Sequence, residues 1–350
     1  MSGGVDSSVT AALLKERGFQ VIGITMRLGS QDIARSESAR PLCCSIESVE
    51  DARRVAGQLD IPFYAVNFEA DFKEQVVDYF CQEYSSGRTP NPCIICNEKL
   101  KFGRLLDMAR EMEANYVATG HYARISHDSD TSRYILRKGV DTSKDQAYAL
   151  FSLTQYQLKH ILTPLGEYTK SKVREVAESL SLKVAQRPES QELCFISDND
   201  YNRFIRERMP DNIKPGPMLD MAGNVVGQHR GIQFYTIGQR KGLGGSFGKA
   251  MYVVRIDPSR NAVVVGAKAD LEVHSLTASN ANFISIPRLE EPVRVTVKIR
   301  YNDPGAVGIA SPLSHDRFRI VFDEPRIAVT PGQAAVLYDG DVVLGGGWIE

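Results

Sequence analysis

An α/β half on a parallel sheet, followed by an all-β half, is the fold class that this 350-residue sequence predicts. Three observations predict it. Residues 1 to about 125 alternate helix-period and strand-period segments, which is how repeated βα units read. A glycine pair followed by Asp, Ser and Ser opens the first of those helices, and such turns lie at the carboxyl rim of parallel strands. After about residue 210, Gly and Pro punctuate short Val/Ile-rich runs, the pattern of a small β module to about residue 272 and then a barrel or sandwich.

Taken in order, residues 9–17 have helical periodicity closed by Gly18, and residues 20–26 form a short apolar strand. A helix is expected over 48–59 with Ser48 as its N-cap, then a strand over 63–66, a long helix over 68–84 and another over 97–113. The strand 116–119 runs into Gly120-His121. Met26 and Gly120 end strands, so both fall on the rim that carries the glycine turn. Further helices are expected over 144–158 and over 170–181, the second introduced by Thr169, with a polar loop at 188–194. In the β half the runs are 251–256, 262–265, 293–299, 318–322 and 334–337. A Gly-Gly turn of this kind ordinarily follows a buried strand. The sequence begins inside the turn, so the sheet is expected to lack a central member.

With 43% hydrophobic residues the chain can bury more than one core. No run of 18 apolar residues and no signal-peptide pattern occur, so the expectation is a soluble, cytoplasmic protein without a membrane partner. Six cysteines in so long a chain, two of them adjacent (Cys43, Cys44) and two in Cys-x-x-Cys (Cys93, Cys96), suit chemistry or metal better than a disulfide framework. The net charge of −1 is uneven, with ten Lys/Arg against four Asp/Glu over residues 201–260. That stretch is either a polyanion-contacting segment or an ordinary solvated face.

The opening residues Met1, Ser2, Gly3, Gly4, Val5, Asp6, Ser7 and Ser8 form the first candidate site. Glycines let backbone approach a phosphate, the start of a helix presents unpaired N–H groups, and Ser7 and Ser8 add hydroxyl donors. The Walker lysine is absent. The simpler alternative is that Asp or Ser merely caps the helix. SGGxDSS resembles the PP-loop of ATP pyrophosphatases, which split ATP into AMP and pyrophosphate. A second candidate is Asn91-Pro92-Cys93-Ile94-Ile95-Cys96-Asn97. With Asn97 starting a helix, Cys96 would lie at a helix N-terminus, where the thiolate is favoured. Cys194 stands alone in Ser190-Gln191-Glu192-Leu193-Cys194-Phe195, and by itself reads as a small buried hydrophobe.

SGGVDSS, NPCxxCN, ATGHYAR (residues 118–124), Lys144-Asp145-Gln146, SQELCFI, YTIGQRKGL (residues 235–243) and PGQAAVLYDGD occur in the order seen in the tRNA-specific 2-thiouridylase family. The resemblance spans essentially the whole chain. It implies a PP-loop domain of the adenine nucleotide alpha hydrolase-like fold over 1–205, a small β-rich RNA-contacting domain over 206–272, and a C-terminal β-barrel over 273–350. It also implies 2-thiolation of the wobble uridine of tRNAs, by family those for Lys, Glu and Gln. ATP with Mg²⁺ adenylates uracil O2, and sulfur from a persulfide on Cys194 then replaces the oxygen. The resemblance implies Cys96 as the partner nucleophile, which either releases sulfide or closes a disulfide with Cys194, and a cysteine desulfurase or sulfur-relay protein as the upstream partner. Residues 1–8, Met26 and Gly120 are implied to contact ATP. Asn91, Pro92, Cys93, His121, Lys144, Asp145, Gln146, Arg300, Tyr301 and Gln333 are implied to contact tRNA.

Where some members carry Asp, this chain has Cys93, which weakens any acid/base role for that position. Three thiols also admit a rival, an iron–sulfur cluster on Cys93, Cys96 and Cys194. Zinc on Cys43, Cys44, Cys93 and Cys96 fits the usual spacing poorly, and no resident metal is expected. Other readings are a PP-loop ligase or amidotransferase, which has no use for Cys96 and Cys194, and an RNA-binding protein with an inactive nucleotide site.

Overall fold

The protein is described by a computed structural model covering residues 1–29, 46–185, 193–196, 198, 200–244 and 248–350. It divides into two compact units. The first comprises Met1–Val76, Cys93–Asp200 and Asp341–Val343; the second comprises Val77–Pro92, Tyr201–Gly340 and Leu344–Glu350.

In the first unit, α1 (Val5–Glu16) precedes β1 (Gly23–Arg27), and α2 (Ile46–Gln58) precedes β2 (Phe63–Asn67). β1 and β2 pair in parallel with Met26 opposite Val66, as repeated βα units require. A second parallel pair joins β3 (Val117–Ala118) to β6 (Ile161–Leu162). Between them lies a hairpin that the sequence reading missed, β4 (Ala123–Asp128) against β5 (Arg133–Lys138). Its four connecting residues are polar, and Ser132 takes the left-handed backbone conformation. The core beneath the glycine turn gathers Val5, Val9 and Leu13 of α1, Val55 of α2, Tyr122, Leu165, and Val173 and Ala177 of the helix Lys170–Ser179. Each such large aliphatic side chain removed from water stabilises the unit by about 1.5–3 kcal/mol.

The helix expected over 144–158 is broken. Ala147–Leu150 forms one tight turn, and a new helix, Gln155–Lys159, starts at Thr154. The reason is a capping box: Thr154 accepts from the Gln157 N–H (3.2 Å) while Gln157 accepts from the Thr154 N–H (2.9 Å).

In the second unit, β7 (Gly216–Leu219), β8 (Val225–His229), β9 (Tyr252–Asp257) and β10 (Ala262–Gly266) form a four-stranded sheet ordered β8-β7-β10-β9. The remaining strands are β11 (Glu272–Phe283), β12 (Val293–Lys298), β13 (Ala306–Ser314), β14 (Arg317–Ile327), β15 (Ala334–Asp339) and β16 (Val342–Ile349). Their order is β11-β14-β13-β12-β15-β16, and β16 pairs back to β11, which closes a six-stranded barrel. The sandwich alternative is therefore excluded. β14 shows why the sequence was readable: Phe318, Ile320 and Phe322 are buried while Arg317, Arg319 and Val321 face out. Among the described residues, no helix is long and apolar enough to cross a membrane.

Candidate active site

The glycine turn is held from several directions within the first unit. Gly3 has a φ of 71°, and a Cβ there would lie 2.3 Å from the Ser48 carbonyl oxygen, so only glycine fits. Gly4, in extended conformation, is the N-cap of α1 and carries no side-chain cap bond. The alternative in which Asp or Ser merely caps the helix is not what forms. Ser7 and Ser8 instead donate to the Gly4 carbonyl at 3.2 and 2.9 Å, and Ser7 Oγ accepts from the Ser2 N–H at 3.0 Å. These bonds fix the turn with the first N–H groups of α1 at its end, the backbone groups for which a helix provides no internal acceptor. Met1 joins the turn to β1, because its carbonyl accepts from Thr25 Oγ1 at 2.5 Å, one residue before Met26.

Gly120 lies directly on this turn. A Cβ at Gly120 would stand 2.8 Å from Asp6 Cβ and 2.9 Å from the Asp6 carbonyl carbon. Beside it, the Asp6 carboxylate receives Lys170 Nζ at 2.7 and 2.9 Å and the Tyr122 hydroxyl at 2.8 Å. The Lys170 ammonium also sits 5.7 Å from the centre of the Tyr122 ring. Tyr122 is itself clamped: its N–H donates to Gln146 Oε1 (3.0 Å) and its carbonyl accepts from the Gln146 N–H (2.9 Å). Asp145 accepts from the N–H groups of Gly139 and Ala147, and Lys144 N–H bonds the Asp141 carbonyl. Residues 144–146 therefore brace the wall of the turn.

His121 is 8% exposed, and its Nδ1 lies 2.8 Å from Thr119 Oγ1. Burial, and secondarily the charge of Lys101, hold its pKa well below the ordinary 6.5, so the ring is neutral at pH 7. Lys101 in turn donates to Asn97 Oδ1 (2.9 Å), and Asn97 Nδ2 donates to the Ala149 carbonyl (3.0 Å).

The cysteine segment differs from expectation at its start. The helix begins at Pro92, not at Asn97: it is α-helical over Pro92–Ile95, widens to i→i+5 bonding over Cys96–Arg104, and returns to α over Leu105–Glu111. Proline suits the first helical position because its missing N–H would be unpaired there anyway. The field of the helix end therefore falls on exposed Cys93, while buried Cys96 lies a turn further in, where the widening begins. Gln157 Nε2 donates to the carbonyls of Glu98 (3.1 Å) and Phe102 (2.8 Å), which the widened turns displace from regular bonding. Cys194 is half-buried, and the next residue, Phe195, packs edge-on against Phe72 at 5.7 Å between ring centres. Phe72 belongs to the helical turn Glu69–Phe72, which packs against the Cys96–Arg104 helix. Both thiols thus belong to one unit.

Within the second unit, Gln333 Nε2 donates to the carbonyls of Thr89 (2.9 Å) and Pro90 (3.2 Å), which brings it beside Asn91 and Pro92. Arg300 and Tyr301 are exposed in the turn after β12, which Asp303 closes by accepting from the Ile299 and Gly305 N–H groups. Cys43 and Cys44, the other half of the disfavoured zinc alternative, lie outside the described residues, as do Ser190, Gln191 and Glu192. Among the described residues no three His, Cys, Asp or Glu side chains are placed to hold a metal ion. Cys93, Cys96 and Cys194 are all described, so this arrangement does not fit a cluster on those three thiols.

Three family models match the chain in succession: the tRNA methyl transferase HUP domain over residues 1–198, the tRNA methyl transferase PRC-barrel domain over 202–267, and the aminomethyltransferase beta-barrel domain over 273–349. The tRNA-specific 2-thiouridylase MnmA of Acetivibrio thermocellus is 52% identical over 350 residues, covering 100% of this chain and 98% of its own. The chain belongs to the tRNA-specific 2-thiouridylase family. A second member, MnmA of Moorella thermoacetica, is 53% identical over the same shares. The U34-tRNA thiolase NcsA of Methanococcus maripaludis matches 61% of this chain and 65% of its own at 22% identity and a TM-score of 0.35, a likeness too slight to bear on mechanism. The family's three-part architecture accounts for the α/β unit, the four-stranded sheet and the six-stranded barrel.

Lys170 and Tyr122 escaped the sequence reading. One signal was present. A lysine directly after an N-cap threonine places a cation at the positive end of a helix, which is unfavourable unless an anion faces it. Thr169 does cap that helix, accepting from the Lys172 N–H, and Asp6 is the facing anion.

Proposed function

We propose that this protein is an ATP-dependent tRNA 2-thiouridylase that acts on the wobble uridine. Supporting the reading is its membership, over its full length, in a family whose curated relatives are named tRNA-specific 2-thiouridylases. The observation that carries the chemistry is the pairing of a braced glycine turn with two thiols in one unit.

The reaction solves a leaving-group problem. Uracil O2 attacks the α-phosphorus of ATP, pyrophosphate departs, and C2 then bears an adenylated oxygen. The terminal sulfur of a Cys194 persulfide attacks C2, and AMP leaves with the oxygen. The Cys96 thiolate attacks the Cys194 sulfur, releasing thiouridine and closing a Cys96–Cys194 disulfide, which a dithiol reductant reopens. Residues 1–8, Met26 and Gly120 would hold ATP. Asn91, Pro92, Cys93, His121, Lys144, Asp145, Gln146, Arg300, Tyr301 and Gln333 would hold the tRNA around an unstacked base. Mg²⁺ would neutralise ATP charge, bound mostly through phosphates and water. A cysteine desulfurase or relay protein would supply the persulfide sulfur in the cytoplasm, for the tRNAs for Lys, Glu and Gln. Domain limits at 1–205, 206–272 and 273–350 belong to the same proposal.

The test is mass spectrometry of unmodified tRNA incubated with protein, ATP and a persulfide source. A gain of one sulfur on the wobble uridine is expected. Retention of full activity by Cys194→Ser would overturn the sulfur route.

A further inference from the structure

The basic stretch at residues 201–260 has a feature that thiolation at the glycine turn does not use. Within the second unit a cavity of about 460 Å³ is lined by Tyr84, Tyr201, Asn202, Phe234, Arg230 and Lys241, among others. Its aromatic wall is rigid. Tyr84 and Tyr201 stack with ring centres 5.6 Å apart and planes 22° from parallel, and the Tyr201 hydroxyl is tied to the Phe234 carbonyl at 3.1 Å. Its rim is cationic: Arg230 and Lys241 are exposed, and among the described residues neither is in an ion pair. Beside the cavity, Asn202 Oδ1 is buried with no hydrogen-bond partner, an acceptor left unsatisfied by the protein itself.

Fixed aromatic rings give a π-face on which any base can stack, and two unpaired cations at the mouth attract a phosphate. An amide acceptor alongside suits the amino or imino hydrogens of a base edge. The volume of about 460 Å³ lies in the small-ligand range, and no duplex enters a cleft of that size. We propose that this cavity receives one unpaired nucleotide of the tRNA other than the reacting uridine, its base against Tyr201 and its phosphate between Arg230 and Lys241. The assignment rests on the tRNA reading above and adds a second anchoring point to it.

The test measures binding of an unmodified tRNA transcript over a range of salt concentrations, with the intact protein and with Arg230→Ala/Lys241→Ala. Both side chains are exposed, so folding is preserved. Affinity is expected to fall about tenfold at 0.1 M salt, with the log–log salt slope reduced by about one. Thiolation should keep its kcat and raise its KM. Tyr201→Leu should bind more weakly, and Tyr201→Phe should restore most of that loss, which separates the ring from the hydroxyl. Unchanged affinity and slope in the double variant would overturn the proposal. So would loss of uridine monophosphate binding with tRNA binding intact, the mark of a free-nucleotide site. A wild type that binds tRNA with this arginine and lysine dependence yet installs no sulfur would sink the thiolase reading and leave the cavity assignment standing.

Discussion

Lys170 Nζ bridges both carboxylate oxygens of Asp6, at 2.7 and 2.9 Å, across 164 residues of chain. The lysine side chain is 11% exposed and the aspartate 34%, so the pair is only partly screened. It fixes the first turn of α1 against the helix Lys170–Ser179, and it decides where the amide groups at the end of that turn point.

Lys170→Met should therefore leave Asp6 with only the Tyr122 hydroxyl. The expected cost is about 2 kcal/mol, between that of an exposed pair and that of a buried one. Urea unfolding would measure it. ATP affinity should fall at the same time, and Lys170→Arg should restore stability better than ATP binding, because a guanidinium does not reproduce a compact ammonium.

Gly120→Ala forces a methyl into Asp6, with contacts of 2.8 and 2.9 Å to the Cβ and carbonyl carbon of that residue. The turn must shift, and thiolation is expected to drop at least about tenfold, as small misplacements at a reacting centre do. Gly57→Ala is the control. It lies in α2 with nothing within 4 Å of the added methyl, so it should stabilise the protein by about 0.5–1 kcal/mol with activity intact.

Cys194→Ser should abolish sulfur insertion, and Cys96→Ser should abolish release of thiouridine and leave the tRNA joined to Cys194, while tRNA-dependent pyrophosphate release continues in both, since adenylation precedes any thiol step. Cys93 is exposed, and Cys93→Ser should retain most activity. Release of pyrophosphate assayed beside sulfur content separates the two half-reactions. Loss of both activities in Cys93→Ser would instead mean that this thiol is needed to hold the base, since adenylation precedes any thiol step.

Acid should destabilise the first unit through His121. Its folded pKa is depressed, so between about 6.5 and that lower value the unfolded chain binds a proton that the folded ring does not. Stability is full above 6.5 and falls as pH drops through this window, by up to about 1.4 kcal/mol per pH unit. His121→Gln should flatten urea midpoints measured from pH 7.5 to 5. His229, in the second unit, adds a slope of the same sign there, because burial lowers its pKa.

Sequence alone carried the division into an α/β part and a β part. Helices and strands declare themselves through local periodicity, as the alternation of Phe318, Ile320 and Phe322 with exposed neighbours shows. It also carried the glycine turn and the cysteines, because those residue types have few uses at such spacings. Tertiary structure decided what depends on distant partners. Sheet closure between β11 and β16 chose barrel over sandwich. A capping box at Thr154 and the Gln157 bonds to Glu98 and Phe102 broke one expected helix and fixed another. The carboxylate of Asp6 found its counter-ion 164 residues away. A side chain's type is written locally, but its charge partner is set by packing, and no period in the chain encodes a contact made only when the helices meet.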